Sequence, residues 1–116
     1  MIGVSKWKED FDKEISNGII AREKGNEGMA RVCARRAAGV LVGEYFKRQS
    51  VRQAVDLDSA SAYERLRYLS ELPGVSPQVA QAADLLLRRV TLEHNLPAEA
   101  DLIAEARWLR QELLAE

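Results

Sequence analysis

The chain has little of the chemistry from which most metal and redox sites are built. Its 116 residues include one histidine and one cysteine, which excludes a structural zinc site within one protomer because such sites take four ligands, mostly Cys and His. A lone cysteine also excludes an internal disulfide, as is typical of a reducing cytoplasm. We therefore expect a cytoplasmic protein in which Cys33 is a small core residue.

The motifs that mark common catalytic and cofactor sites are also missing. The sequence contains no GxxxxGK[ST], no GxGxxG and no GxSxG, which argues against phosphate-binding loops, dinucleotide folds and hydrolase nucleophile elbows. Di-iron helical bundles carry ExxH pairs, whereas Glu93 and His94 are adjacent. We expect no cofactor and no metal.

Long apolar runs and a strong net charge are absent too. No apolar run approaches the roughly 20 residues of a membrane-spanning helix, and the first residues turn acidic where a signal peptide would turn apolar, so no membrane partner is expected. The net charge is −1, but residues 28–55 hold six bases and one acid while residues 93–116 hold six acids and two bases. This asymmetry indicates either a binding face or two helices that complement each other.

Helical periodicity runs through the chain, and no segment alternates with the period of a strand. Helices are predicted over residues 5–24, 27–52, 61–72, from 76 towards 93, and 98–114. Ser61 with Glu64 forms a capping box, and Ser76 before Pro77 marks another helix start. We predict a single all-α domain over residues 1–116, an antiparallel up-and-down four-helix bundle with one additional short helix.

Residues 28–52 form the helix around which this bundle is expected to pack. One of its sides is small, which lets the first helix approach closely; the small residues are Ala30, Ala34, Ala38, Gly39 and Gly43. Its bases are Arg31, Arg35, Arg36, Lys47, Arg48 and Arg52. Arg36 and Arg48, with Tyr45, are candidates to line an RNA groove, although a solvated surface explains them equally well.

Three stretches together resemble the HEPN superfamily of small helical-bundle proteins from bacteria and archaea. Residues 15–24 with 26–36 are similar to the family's opening helix hairpin, residues 89–94 to its motif region, and residues 97–113 to its acid-rich final helix. The resemblance spans nearly the whole chain and rests on pattern and order.

This resemblance implies a metal-independent endoribonuclease toxin whose motif is an arginine, four to six residues, then a histidine, paired across a dimer. Arg88 and Arg89 precede His94 with five and four residues between them, so these three are the catalytic candidates. Arginine binds phosphate oxygens in pairs and histidine exchanges protons near neutral pH. Val90 departs from the polar residue that follows the arginine in active members, and His94 near a helix end also suits the helix dipole.

Two other functions stay open. The resemblance equally implies the HEPN partner of a minimal nucleotidyltransferase in a toxin–antitoxin pair, or a non-catalytic module that binds RNA or a nucleotide. If the family resemblance is set aside, the alternative hypothesis is a homodimeric helical bundle that serves as an interaction module of unknown role. Trp108 lies beside Leu109 and falls off the inner seam of its helix, so it is the candidate interface residue of a homodimer.

Overall fold

The computed structural model describes residues 5–49, 60–88 and 101–116, and within these ranges it contains five helices and no strand. The helices are α1 (Lys6–Glu23), α2 (Glu27–Arg48), α3 (Ala62–Glu71), α4 (Pro77–Leu87) and α5 (Leu102–Leu114). The predicted all-α class is confirmed. No helix in the described ranges is apolar enough over a sufficient length to cross a membrane.

The capping signals in the sequence define several helix ends. Ser61 and Glu64 form the predicted capping box at the start of α3, and the Ser76 side chain accepts the N–H of Val79 at 3.1 Å before α4. Gly25 turns the chain between α1 and α2 with a φ of 79°, which costs glycine little. The starts of α3 and α4, which Ser61 and Ser76 predicted, are therefore confirmed.

Three other helix boundaries differ from the prediction. Helix α2 ends at Arg48 rather than near residue 52. Helix α4 ends at Leu87, where Arg88 takes an extended conformation. Asp101 is the N-cap of α5, accepting the N–H of Ala104 at 3.1 Å, and not a residue of its first turn. For α2 and α4, the apolar periodicity of the sequence continues past the residue at which the helix ends, so the predicted helices were too long.

Helix α2 lies at the centre, in contact with each of the other four described helices. Its core residues include Ala34, Leu41 and Val42, which are fully buried. Fully buried leucines from the other helices surround them; these are Leu66, Leu69, Leu86, Leu102 and Leu109. Cys33 is buried as predicted, and this burial raises the pKa of its thiol. A central helix packed on several sides explains the small residues in its sequence.

Gly39 and Gly43 of α2 pack against α3 and not against α1, which corrects the prediction for this part of the small side. A β-carbon on Gly39 would lie 2.7 Å from the Ala62 Cα, and the ring of Phe46, further along α2, meets Tyr68 edge to face at 5.4 Å. The contacts therefore advance in the same direction along α2 and α3. Successive helices of an up-and-down bundle run antiparallel, so the predicted order is not confirmed for α2 and α3.

The close approach of α1 to α2 depends instead on a glycine of α1. A β-carbon on Gly18 would lie 3.2 Å from the Cys33 Cβ and 3.4 Å from the Ala30 carbonyl oxygen. Arg22 then links the ends of three helices, because it binds Glu27 of α2 through two hydrogen bonds and Asp101 before α5 through a third. These contacts fix α1 and α5 on one side of α2.

Candidate functional site

An open groove lies beside α2, between the start of α1 and the first half of α3. It has a volume of about 280 Å³, near the lower end of the range of small-molecule sites. Its lining, which defines the α2 groove, consists of Lys6, Trp7, Asp10, Val40, Gly43, Glu44, Lys47 and Arg65. Within the described ranges α1 and α3 do not contact each other, so a strip of α2 between them forms the floor.

The floor of the groove is one face of α2. Val40, Gly43 and Lys47 follow one another at spacings of three and four residues, which places them on the same side of a helix. Arg36 lies four residues before Val40 and is exposed, so it extends the same face by one turn. The strip from Arg36 to Lys47 is about 16 Å long at 1.5 Å per residue. It is long enough to meet more than one phosphate group.

Arg65 of α3 forms one wall of the groove, and the absence of a side chain at Gly43 makes room for it. A β-carbon on Gly43 would lie 2.5 Å from Arg65 Nη1. The same Nη1 donates a hydrogen bond of 3.1 Å to the Gly39 carbonyl oxygen. The guanidinium group is therefore held at a defined place against the backbone of α2.

The charges in the groove are positive in balance, with three bases against two acids. Lys6 Nζ binds Asp10 Oδ1 at 3.0 Å, and Arg48 Nε binds Glu44 Oε2 at 2.9 Å. Both carboxylates of the groove are thus paired with cations, Asp10 with Lys6 of the same lining and Glu44 with Arg48 outside it. Lys47 is exposed and has no ion-pair partner among the residues the structure describes. An anion entering the groove would meet this ammonium group.

The indole of Trp7, which is part of the groove lining, has three cations close to its ring. Lys8 Nζ lies 5.8 Å from the ring centroid, Arg48 Cζ 5.7 Å and Arg110 Cζ 5.1 Å. Such distances are typical of cation–π contacts. Glu116 bridges two of these cations, at 2.9 Å from Lys8 and 2.6 Å from Arg48, and its hydrogen bonds with Lys8 and then Arg48 lower its pKa.

None of the three predicted RNA-binding residues, Arg36, Tyr45 and Arg48, is part of the groove lining. Arg36 lies on the same face of α2 one turn before Val40, and Arg48 follows Lys47, where the hydrogen bonds it donates to Glu44 and then Glu116 raise the arginine's pKa. Tyr45 lies elsewhere on α2, half-buried against the core with its ring 5.9 Å from that of Phe46. Arg36 and Arg48 therefore lie next to the groove on α2 without lining it, whereas Tyr45 packs against the core.

Of the predicted catalytic residues, Arg88 lies within the described ranges, whereas Arg89 and His94 lie outside them. Arg88 is exposed at the end of α4 and binds Asp84 at 3.1 Å. Its carbonyl oxygen accepts a hydrogen bond from Arg35 Nη2 at 3.1 Å, and the Leu86 carbonyl oxygen accepts one from Arg35 Nε at 2.8 Å. The convergence of Arg88, Arg89 and His94 stays a prediction.

The candidate interface residue lies on the surface of α5. Trp108 is 38% exposed, whereas its neighbour Leu109 is fully buried. This contrast follows from the helix geometry, because two successive side chains cannot both face one narrow core. Trp108 is thus placed where a partner could cover it.

Sequence analysis missed most of the groove. Lys47 was counted among the bases of residues 28–52 without being singled out, and Trp7 was not predicted as a site residue. The spacing of Gly39 and Gly43 was the available signal, since glycines four apart in a helix indicate the close approach of another element. Nothing in the sequence identifies Arg65 as the group that occupies this space.

Comparisons of the chain with protein-family models, with curated proteins and with solved structures found no match. The resemblance to HEPN proteins consequently rests on its own three stretches of sequence, and functional inference rests on the geometry of the groove.

Proposed function

We propose that the chain is a HEPN-like helical bundle that binds single-stranded RNA in the α2 groove. The observation that carries this proposal is Lys47, an exposed cation without an ion-pair partner in the described ranges, on the floor of an open groove. Trp7 and Arg65 flank it within the same lining.

The chemistry of the groove suits a single strand. Proteins that bind single strands combine cations along the backbone with aromatic rings against the bases. Here Arg36 and Lys47 follow one face of α2, and Trp7 supplies an aromatic ring in the lining of the groove.

Binding of a labelled oligouridine, about 12 nucleotides long, tests this proposal by fluorescence anisotropy. We expect binding at about 50 mM salt that weakens steeply as salt rises, because neutralising phosphates releases counterions. A duplex of the same length serves as the control ligand and is expected to bind more weakly. Equal affinity for both, or no binding of the single strand, contradicts the proposal.

A second candidate function is metal-independent RNA cleavage by Arg88, Arg89 and His94. The observation that favours it is the exposed Arg88, whose backbone carbonyl is held by Arg35. Cleavage that persists with a chelator and disappears in His94→Ala would support this function. Chelator-resistant cleavage by the variant would exclude the histidine as catalyst. The related proposal, that the chain is the HEPN partner of a minimal nucleotidyltransferase, is favoured if such a gene lies beside this one.

A homodimer is proposed on separate grounds. Trp108 is a large apolar side chain that remains partly exposed on α5, and exposed tryptophans are enriched at protein interfaces. Its partner surface is a second copy of this chain.

A further inference from the structure

Glu116 is held in place by contacts with two other helices. Its two carboxylate oxygens bind Lys8 of α1 at 2.9 Å and Arg48 of α2 at 2.6 Å. The preceding residue, Ala115, has φ 54° and ψ 31°, a left-handed conformation that residues other than glycine adopt infrequently. This backbone conformation turns the chain as α5 ends, so that Glu116 reaches α1 and α2.

The cations bound by Glu116 lie beside Trp7, a residue of the groove lining. Arg48 follows Lys47 directly in the sequence, and both Arg48 and Lys8 are within cation–π distance of the Trp7 ring. Arg48 is also bound by Glu44, which lines the groove. The carboxylate of Glu116 thus binds the two cations, Lys8 and Arg48, that a bound strand extending beyond Lys47 would meet.

We propose that Glu116 acts as an internal competitor for RNA phosphate, occupying Lys8 and Arg48 until a strand in the groove displaces it. This inference rests on the proposed RNA-binding function of the groove. Glu116 gives one carboxylate oxygen to Arg48 and the other to Lys8, and a phosphate group also has oxygens for both cations.

The exposure of the three side chains makes this exchange feasible. Lys8, Arg48 and Glu116 are each between 32% and 39% exposed, so their ion pairs are screened by solvent and weak. Displacing the carboxylate therefore costs little compared with binding a phosphate at two cations. A competitor of this kind lowers RNA affinity and sets a threshold for binding without blocking it.

Two glutamine variants test the inference, using the same labelled oligouridine and anisotropy. Glu116→Gln removes the competing charge, and Glu112→Gln removes the same charge from an exposed position on α5 that has no ion pair among the described residues. We expect Glu116→Gln to bind RNA about three to ten times more tightly than the wild type, and Glu112→Gln to bind within about twofold of it. The slope of affinity against salt should also steepen for Glu116→Gln alone.

The outcomes separate this inference from the function on which it rests. If the wild type binds RNA and the two variants tighten binding equally, the effect is general electrostatics and the competitor role is wrong. If Glu116→Gln weakens binding, the residue supports the groove structurally and the inference is also wrong. If neither the wild type nor Glu116→Gln binds RNA, the proposed function fails and the inference fails with it.

Discussion

The guanidinium group of Arg65 lies over Gly43, in space that a β-carbon on that residue would enter to within 2.5 Å of Nη1. An arginine of α3 thus reaches the groove because α2 lacks a side chain at this position. The hydrogen bond from Nη1 to the Gly39 carbonyl holds it there. The wall of the groove and the packing of α3 on α2 are therefore linked through two glycines of one helix.

Gly43→Ala should separate binding from stability. The flexible end of Arg65 gives way more easily than the helix backbone, so we expect the side chain to move and RNA affinity to fall severalfold. The lost hydrogen bond costs about 1 kcal/mol and alanine favours the helix by about 1 kcal/mol, so the free energy of unfolding should stay nearly constant in urea titrations. Unchanged RNA affinity would show that Arg65 does not contribute to binding.

Gly39→Ala, unlike Gly43→Ala, should lower the stability of the protein. Its β-carbon would lie 2.7 Å from the Ala62 Cα, and a backbone neighbour can move only if α3 moves. We expect the free energy of unfolding to fall by about 1–3 kcal/mol, as for other overpacked cores. Gly28→Ala is the matched control, because its nearest neighbour would be the Asn26 Oδ1 at 3.8 Å. Equal stability of the two variants in urea would contradict the close approach of α2 and α3.

Acid should weaken the junction between α1 and α2. The hydrogen bond from Arg22, opposed in part by burial, lowers the pKa of Glu27 below its ordinary value of 4.5. A lowered pKa in the folded state means that the stabilisation is fully present above about pH 4.5 and is lost as the pH falls through the folded-state pKa. Glu27→Gln should cost about 0.5 kcal/mol at pH 7, as for exposed ion pairs, and almost nothing at pH 3.

Urea unfolding of wild type and variant at both pH values measures this difference. Glu23→Gln provides the control, since Glu23 is exposed at the end of α1 and has no ion pair within the described ranges. A Glu27→Gln deficit that persists undiminished at pH 3 would mean that the carboxylate charge is not its source.

Trp108→Ala should weaken self-association without unfolding the protein, because the indole is already 38% exposed. Sedimentation velocity at micromolar concentration should show a dimer for the wild type and mainly monomer for the variant. Tyr63→Ala is a suitable control, since Tyr63 is 41% exposed on α3 and should leave the dimer intact. A monomeric wild type would remove the homodimer proposal.

The sequence predicted those features that depend only on residues close together in the chain, such as helix caps. Ser61 with Glu64, and Ser76 before Pro77, predicted helix starts correctly because capping depends on neighbouring backbone groups alone. Trp108 was placed on the surface correctly from its adjacency to Leu109. These inferences need no knowledge of which helices become neighbours.

The groove was not predictable in the same way, because it depends on tertiary contacts. Gly39 and Gly43 indicated a close helix contact, but the sequence did not show that α3 and not α1 would supply it. The position of Arg65 follows from that choice, and so does the contact of Glu116 with Lys8 and Arg48. Residues far apart in the chain form the site, and local patterns carry no information about their pairing.

The most direct test of RNA binding in the α2 groove compares Lys47→Glu with Lys13→Glu. Both exchange an exposed lysine for an acid, but only Lys47 lines the groove. At about 100 mM salt we expect Lys47→Glu to lower affinity for labelled oligouridine about tenfold or more, and Lys13→Glu to change it by less than about threefold. Equal losses in the two variants, or full affinity in Lys47→Glu, would contradict binding in the α2 groove.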